Sequence, residues 1–320
     1  MTTSGSIDFS VSRDDIIEEA LMRVGVLPEG GTPTADQLTD HSRTLNIMVK
    51  AWVGRGINIW AVDKVTLFLT ENKHTYTAGT DRIALTGGVT RTALAANVAA
   101  SATTITVDSI TGISSTYKIG IELDDGTLHW DVVNGAPSGT TVTLTTGLGS
   151  SATASTDGVV YVYASAIAAT RIKSVLEVVR RQSDLSDVTI NIVPRRDYWN
   201  LGSKTSDGKV NQIWVEPQLS ATIITTYPQP DDETETLEML CKRTLEDFDA
   251  AGDTPDFPQE YYEALYMGLA ARLSPKYRLP MAERQYLDMR AEEALTSVEG
   301  WDREQNVSLY LQPNYWGRMK

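Results

Sequence analysis
The residues from which this chain could build a reactive centre are three histidines, one cysteine and a large stock of carboxylates. His41, His74 and His129 stand in three separate segments, and none is spaced from a cysteine or a second histidine as metal ligands are. A structural or surface role is expected for each. Cys241 falls on an expected strand and reads as a small buried hydrophobe, since a thiolate nucleophile needs a partner histidine that the spacing does not supply. Asp231, Asp232, Glu233 and Glu235 crowd one loop. A calcium loop wants carboxylates at alternating positions around a glycine turn, so a solvated turn is expected there instead. No phosphate loop, no Gly-x-Gly-x-x-Gly and no Gly-x-Ser-x-Gly occurs. Among 42 acidic residues no two can be singled out as an acid and base pair. The chain is therefore expected to have no catalytic residue, no cofactor and no metal site.

What remains is chemistry of recognition. Arg180-Arg181 and Arg195-Arg196 are local basic spots in an acidic chain, suited to salt bridges between subunits or to DNA phosphates. The last 20 residues carry Trp301, Leu309, Tyr310, Leu311, Tyr315 and Trp316, with Pro313 among them, and show no helical periodicity. A segment that short and irregular cannot bury six large apolar groups by itself, so it asks for a surface: a partner's, or that of its own domain. Aromatic anchors are typical of interface hot spots, which favours the partner.

The elements that must position these residues follow from pattern. Ser12 and Asp15 have N-cap spacing ahead of Ile16, Ile17, Ala20, Leu21 and Val24, which share one helical face up to Gly25. Thr34 and Gln37 repeat that spacing before a second helix with the stripe Leu38, Leu45, Met48, Val49 and Trp52. From Ile57 the period becomes two: Val65, Leu67 and Leu69 alternate with Lys64, Thr66 and Phe68. Residues 94–163 are rich in Thr, Ser, Ala and Gly. Short strands are expected there at 104–107, 119–123, 127–133, 142–145 and 159–162, with Asp124-Asp125-Gly126 as a tight turn. Five short strands with close turns suggest a small barrel or sandwich. Strands resume at 175–179, 188–193, 210–215 and 221–227; the turn-like 228–235 predicts a hairpin onto a strand at 237–245, with Leu237, Met239 and Cys241 on one face. Pro258 is placed as the first residue of a helix running to Ser274. Pro280 opens a last helix, with Tyr286, Leu287, Met289, Arg290, Ala294 and Val298 along it and Gly300 as its stop.

At 320 residues the chain exceeds the size at which one core usually stops growing, so more than one structural unit is expected. Apolar residues at 41% are enough to fill such cores. The 28 basic and 42 acidic residues leave a net charge of -14, which repels phosphate and excludes a DNA-gripping protein, though an acidic protein can line a passage for DNA. One cysteine allows no intrachain disulfide, so the fold needs no oxidising compartment. The polar N-terminus does not read as a signal peptide and no apolar run spans a bilayer; synthesis in the cytoplasm without a membrane anchor is expected.

The order of these parts resembles the head-to-tail adaptor family of short-tailed phages, also called tail tubular protein A or connector. Three stretches carry the likeness. The first is Ala20-Leu21-Met22-Arg23-Val24-Gly25 with Leu45-Asn46-Ile47-Met48-Val49-Lys50-Ala51-Trp52 and Gly56-Ile57-Asn58-Ile59-Trp60. The second is Arg195-Arg196-Asp197-Tyr198-Trp199, then 204–208 and Ile213-Trp214-Val215. The third is Asp256-Phe257-Pro258-Gln259-Glu260-Tyr261-Tyr262 with Leu269-Ala270-Ala271-Arg272-Leu273, the last helix and the aromatic tail. Order and spacing persuade here, not any single motif. The resemblance implies a non-enzymatic virion protein of the head–tail junction, forming a homo-oligomeric ring, usually dodecameric. Such a ring sits under the portal protein, extends the DNA channel without sequence-specific binding, and carries the tail nozzle protein. It also implies that a helical bundle makes ring contacts and that the C-terminal arm, from Trp301 to Trp316 here, reaches the portal. Smaller members lack the insert, which could decorate the ring or contact tail fibres.

The fold class expected is α+β. Residues 1–57 form a helical pair, 58–93 with 164–250 an antiparallel β domain, and 94–163 an inserted β module. Residues 251–300 form a second helical pair completing the bundle, and 301–320 an extended arm. Two other readings stay open: another tail structural protein (nozzle, fibre base or receptor-binding) whose insert binds sugar, and a tail-associated peptidoglycan hydrolase using a carboxylate such as Glu260.

Overall fold
The computed structural model describes residues 5–55, 61–155, 159–164 and 172–301. In chain order come α1 (Arg13–Arg23), α2 (Ala35–Arg55), β1 (Val62–Phe68), β2 (Thr75–Thr77), β3 (Ile83–Leu85), β4 (Val89–Thr92) and β5 (Thr104–Thr106). Then follow β6 (Lys118–Glu122), β7 (Leu128–Val132), β8 (Thr141–Thr143), β9 (Val160–Tyr163), β10 (Ile172–Arg181), β11 (Asp187–Thr189) and β12 (Asn191–Ile192). The last are α3 (Arg195–Trp199), β13 (Gln212–Pro217), β14 (Thr222–Tyr227), β15 (Thr236–Arg243), α4 (Tyr262–Leu273) and α5 (Met281–Trp301). The fold is mixed α+β with mostly antiparallel sheets; the β12–β13 pair is parallel. The described residues before 61 and after 244 form one compact unit, and those from Ala61 to Thr244 another.

In the first unit the helix starts are set by local chemistry. Ser12 and Asp15 form a reciprocal capping box on α1. Thr34 and Gln37 do the same for α2, with Thr34 N–H donating to Gln37 Oε1 at 2.8 Å. Each box satisfies two backbone donors that a helix N-terminus otherwise leaves open. The α4 helix is the most apolar of the four and packs against α1, α2 and α5. Gly268 lets α4 approach α2 closely, because a Cβ there would lie 2.9 Å from Met48 Sδ. Two expectations are corrected in this unit. Pro258 does not enter a helix: it caps a 3-10 turn at Gln259–Tyr261, and α4 begins at Tyr262. Gly300 does not stop α5, which runs on to Trp301, so the backbone of Trp301 belongs to a helix and not to an arm. Tyr286 and Met289 are exposed, because α5 turns only Leu287, Leu295 and Val298 into the core.

The second unit contains two sheets, ordered β11-β10-β15-β1-β3 and β12-β13-β14-β2, that share one core. Leu237, Met239 and Cys241 of β15 all enter it, as their alternation predicts. The hairpin expected across 228–235 does not form. This stretch carries the chain from one sheet to the other: β14 pairs with β13 and β2, whereas β15 pairs with β10 and β1. The strand expected at 188–193 is two short strands in different sheets, broken at Ile190. A third sheet, β4-β9-β6-β7, and a β5-β8 ribbon enclose a separate core. The turn at Asp124-Asp125-Gly126 forms with Gly126 at φ +83°, a left-handed conformation that glycine adopts without strain.

Two strands of this unit are apolar on both faces, which a strand buried on both sides requires. On β1, Val65 and Leu67 face the two-sheet core, while Phe68 faces the opposite way. On β9, Val160 and Val162 face the third sheet's own core, while Tyr161 and Tyr163 face Phe68. The Phe68 ring lies 4.9 Å from Trp130, 5.1 Å from Tyr161 and 5.4 Å from Tyr163 between centroids. An aromatic seam therefore joins the third sheet to the first.

Candidate interaction surface
The residues named for catalysis or metals disperse. His41 is buried on α2, with Nε2 2.8 Å from the Tyr277 hydroxyl and the two rings edge to face. His74 Nδ1 lies 3.0 Å from Gln229 Nε2, and His129 sits on β7 opposite Ile121. Cys241 is buried in the two-sheet core. No group of three or more His, Cys, Asp or Glu is arranged to hold a metal among the described residues. Nor is any described helix long and apolar enough to cross a membrane.

The solvated turn expected at 231–235 is corrected. Glu233 and Glu235 are buried. Glu233 accepts from Glu71 N–H at 3.0 Å and from Leu128 N–H at 2.8 Å, tying the first sheet's loop to β7. Lys209 Nζ stands among Asp231 at 3.6 Å, Asp232 at 2.8 Å and Glu235 at 3.2 Å. Lys209 thus serves three of the four carboxylates, and Glu235 also meets Arg180.

The two arginine pairs have opposite fates. Arg180 and Arg181 lie on β10, where successive side chains take opposite faces. Arg180 is buried, 3.3 Å from Glu235, and donates to the Val210 carbonyl at 3.0 Å. Arg181 holds Asp187 with two hydrogen bonds of 2.9 and 2.8 Å and also pairs with Glu238. Its hydrogen bonding holds the Asp187 carboxyl below the usual range, while burial pushes Glu238 up against Arg181's pull. Neither guanidinium is left over for DNA or a neighbour.

Arg195 and Arg196 stand exposed on α3, and neither forms an ion pair among the described residues. Asp197 N–H and Tyr198 N–H both donate to the Pro194 carbonyl, which starts the turn, and the Tyr198 ring stacks on Trp214 at 5.3 Å to pin it. Lys204 ends it by donating to the carbonyls of Trp199 at 3.3 Å and Leu201 at 3.2 Å. Trp199 is left 59% exposed, with Arg195 5.9 Å and Lys204 5.7 Å from its ring centroid. Sequence reasoning weighed the arginines and missed Trp199 as their companion; the signal available was the adjacency Arg-Arg-Asp-Tyr-Trp. Of the expected arm, Leu309, Tyr310, Leu311, Pro313, Tyr315 and Trp316 lie outside the described residues.

Two clefts lie among the described residues. One, of about 320 Å³, is lined by Glu122, Asp124, Thr153 and Ser183 among others. Both Asp124 oxygens accept within the chain, from Ser151 Oγ and from the Thr153 N–H. The other, of about 540 Å³, is formed by residues 246–256 around buried Phe248 and is rimmed by carboxylates. No protein-family profile matches the chain, and a search of curated proteins finds no match.

Proposed function
We propose that this chain is a non-enzymatic structural subunit of a virus particle: a head-to-tail adaptor of a short-tailed phage, one copy in a ring beneath the portal. The observation that carries the reading is the way both ends of the chain contribute helices to one compact unit while the β unit is built from the middle. That is the order of parts on which the family resemblance rests. The described parts of its three stretches fall on α1 and α2, on α3 and β13, and on the 3-10 turn with α4 and α5.

In this reading the four long helices act as a bundle that makes ring contacts, and residues 94–163 are a small barrel or sandwich module carried on the ring. The aromatic segment after α5 is the portal-binding arm. Each arm need bind only weakly, because repetition around a ring multiplies the contact. The acidic surplus faces the channel in part, letting DNA slide without being held.

The experiment mixes the purified protein with the portal ring of the same phage and images the mixture by electron microscopy, with mass measured alongside. A symmetric collar stacked on the portal is expected, and deletion of residues 302–320 is expected to leave a folded subunit that no longer joins it. Failure of the full-length chain to join an intact portal removes the adaptor reading, and unchanged binding by the truncation removes the arm.

A further inference from the structure
The exposed patch on α3 has no ion-pair partner among the described residues. Its arginines form no ion pair among the described residues of a chain with 42 acidic and 28 basic residues, whereas Arg180 and Arg181 each meet a carboxylate. The Tyr198–Trp214 stack and the Lys204 cap hold the turn's backbone in place before anything binds, so little backbone freedom is lost on docking. Trp and Arg are the residue types that most often dominate protein interfaces.

Resting on the reading that copies of this chain associate, we propose that the Arg195–Arg196–Trp199 patch of one copy docks on the carboxylate-rimmed cleft at 246–256 of a second copy. The argument is charge complementarity. In that cleft Lys50 neutralises Asp247 at 2.6 Å. Asp253 accepts from the N–H groups of Asp249 and Ala250 through one oxygen, and Asp256 accepts from the N–H of Glu246. Glu246 and Asp249 are exposed, and neither carboxylate forms an ion pair among the described residues. Two guanidinium groups without an ion pair among the described residues thus meet the carboxylates of Glu246 and Asp249, and the exposed indole has a cleft to enter.

Nucleic acid suits the patch less well. Two free arginines neutralise about two phosphates, which gives weak and salt-sensitive binding, and the net charge of -14 repels the polyanion. The two surfaces differ, so the contact is head-to-tail. Repeated about an axis, a head-to-tail contact closes into a ring where the rotation permits.

The test uses the full chain, alone and with portal rings, and reads assembled mass by light scattering at low and high ionic strength. Wild type is compared with R195E/R196E, with E246R/D249R and with the fourfold combination, each checked for folding by circular dichroism. Should a reversal impair folding, R195Q/R196Q replaces it. Either double reversal is expected to lower the assembled fraction at least tenfold, and the combination to restore it. Assembly of wild type that is indifferent to both double variants overturns this contact while leaving the ring reading intact. Loss of portal capture with unchanged self-association assigns the patch to the portal and likewise overturns it. A wild type that stays monomeric in both settings removes the ring reading and this contact together.

Discussion
Replacing Phe68 with alanine removes the ring around which Trp130, Tyr161 and Tyr163 are arranged, at centroid distances of 4.9, 5.1 and 5.4 Å. Phe68 is 1% exposed, so the whole side chain is lost from a closed site. Truncating a buried phenylalanine costs about 3–5 kcal/mol, with the larger values where the site cannot collapse. Collapse is restricted here, because Phe68 sits between two strands fixed by their other faces. Three aromatic neighbours in tilted, edge or stacked geometry add roughly 0.5–1.5 kcal/mol per pair at most, part of which the truncation figure already contains. A loss of about 4 kcal/mol is expected. The effect should also be local. The seam joins the third sheet to the first, so amide exchange in β6, β7 and β9 should accelerate more than in β13 and β14. Urea unfolding gives the magnitude and peptide-resolved hydrogen exchange gives the location. F68L, which keeps most of the volume and loses the ring contacts, should cost about 1–1.5 kcal/mol. An alanine variant costing less than about 1 kcal/mol, or exchange rising equally in both regions, refutes the coupling argument.

In the helical unit, G268A places a methyl 2.9 Å from Met48 Sδ and 3.1 Å from Trp52 Cζ2. The clash should cost roughly 1–3 kcal/mol, outweighing a gain of about 1 kcal/mol in helix propensity; a variant more stable to urea than wild type speaks against so tight an approach. Burial first, and then the charge of Lys276, depress the pKa of His41 below its ordinary 6.5, against the opposing pull of Asp40. The unfolded chain then takes up a proton that the folded chain refuses, so the contribution of the neutral ring is intact above about pH 6.5 and is lost as pH falls below it. H41Q should flatten the urea-midpoint profile between about pH 7 and about pH 5, and parallel profiles count against this assignment. Burial, with Asp63 adding, pushes the Cys241 thiol up to about 12. Iodoacetamide should therefore leave the native protein unmodified and label it in urea; native labelling at the rate of a free thiol contradicts the buried site.

What could be read from the sequence was local. The Ser12/Asp15 and Thr34/Gln37 spacings encode their hydrogen bonds within four residues, and both boxes form. The five strands expected within 94–163 fall within two residues of β5 to β9, because each is a short run rich in β-branched or aromatic residues between turns. Leu237, Met239 and Cys241 share a face for the same reason. What failed depended on distant partners. Residues 228–235 have the composition of a tight turn, yet the strands on either side are claimed by different sheets. Tyr286 and Met289 fit a helical period, but whether that face is covered depends on where α4 lies. Glu233 looked like one more carboxylate in a solvated loop until the N–H groups of Glu71 and Leu128, 162 and 105 residues away, were brought to it.

The arginine pairs show the same division on the surface that matters for function. By composition, Arg180-Arg181 and Arg195-Arg196 are the same dipeptide. On a strand the two side chains part to opposite faces, and β10 lies between β11 and β15, whose carboxylates and that of nearby Glu235 meet each one. On the single turn of α3 neither neighbour is a strand of the same sheet, so no carboxylate comes within pairing distance among the described residues. A buried guanidinium needs its partner, since removing the partner costs about 3–5 kcal/mol, so Arg180 is committed to the fold. An exposed one carries no such debt. The second pair is thus free to be conserved for, or changed by, what the subunit meets, and its substitution should alter assembly while leaving stability within about 0.5 kcal/mol of wild type.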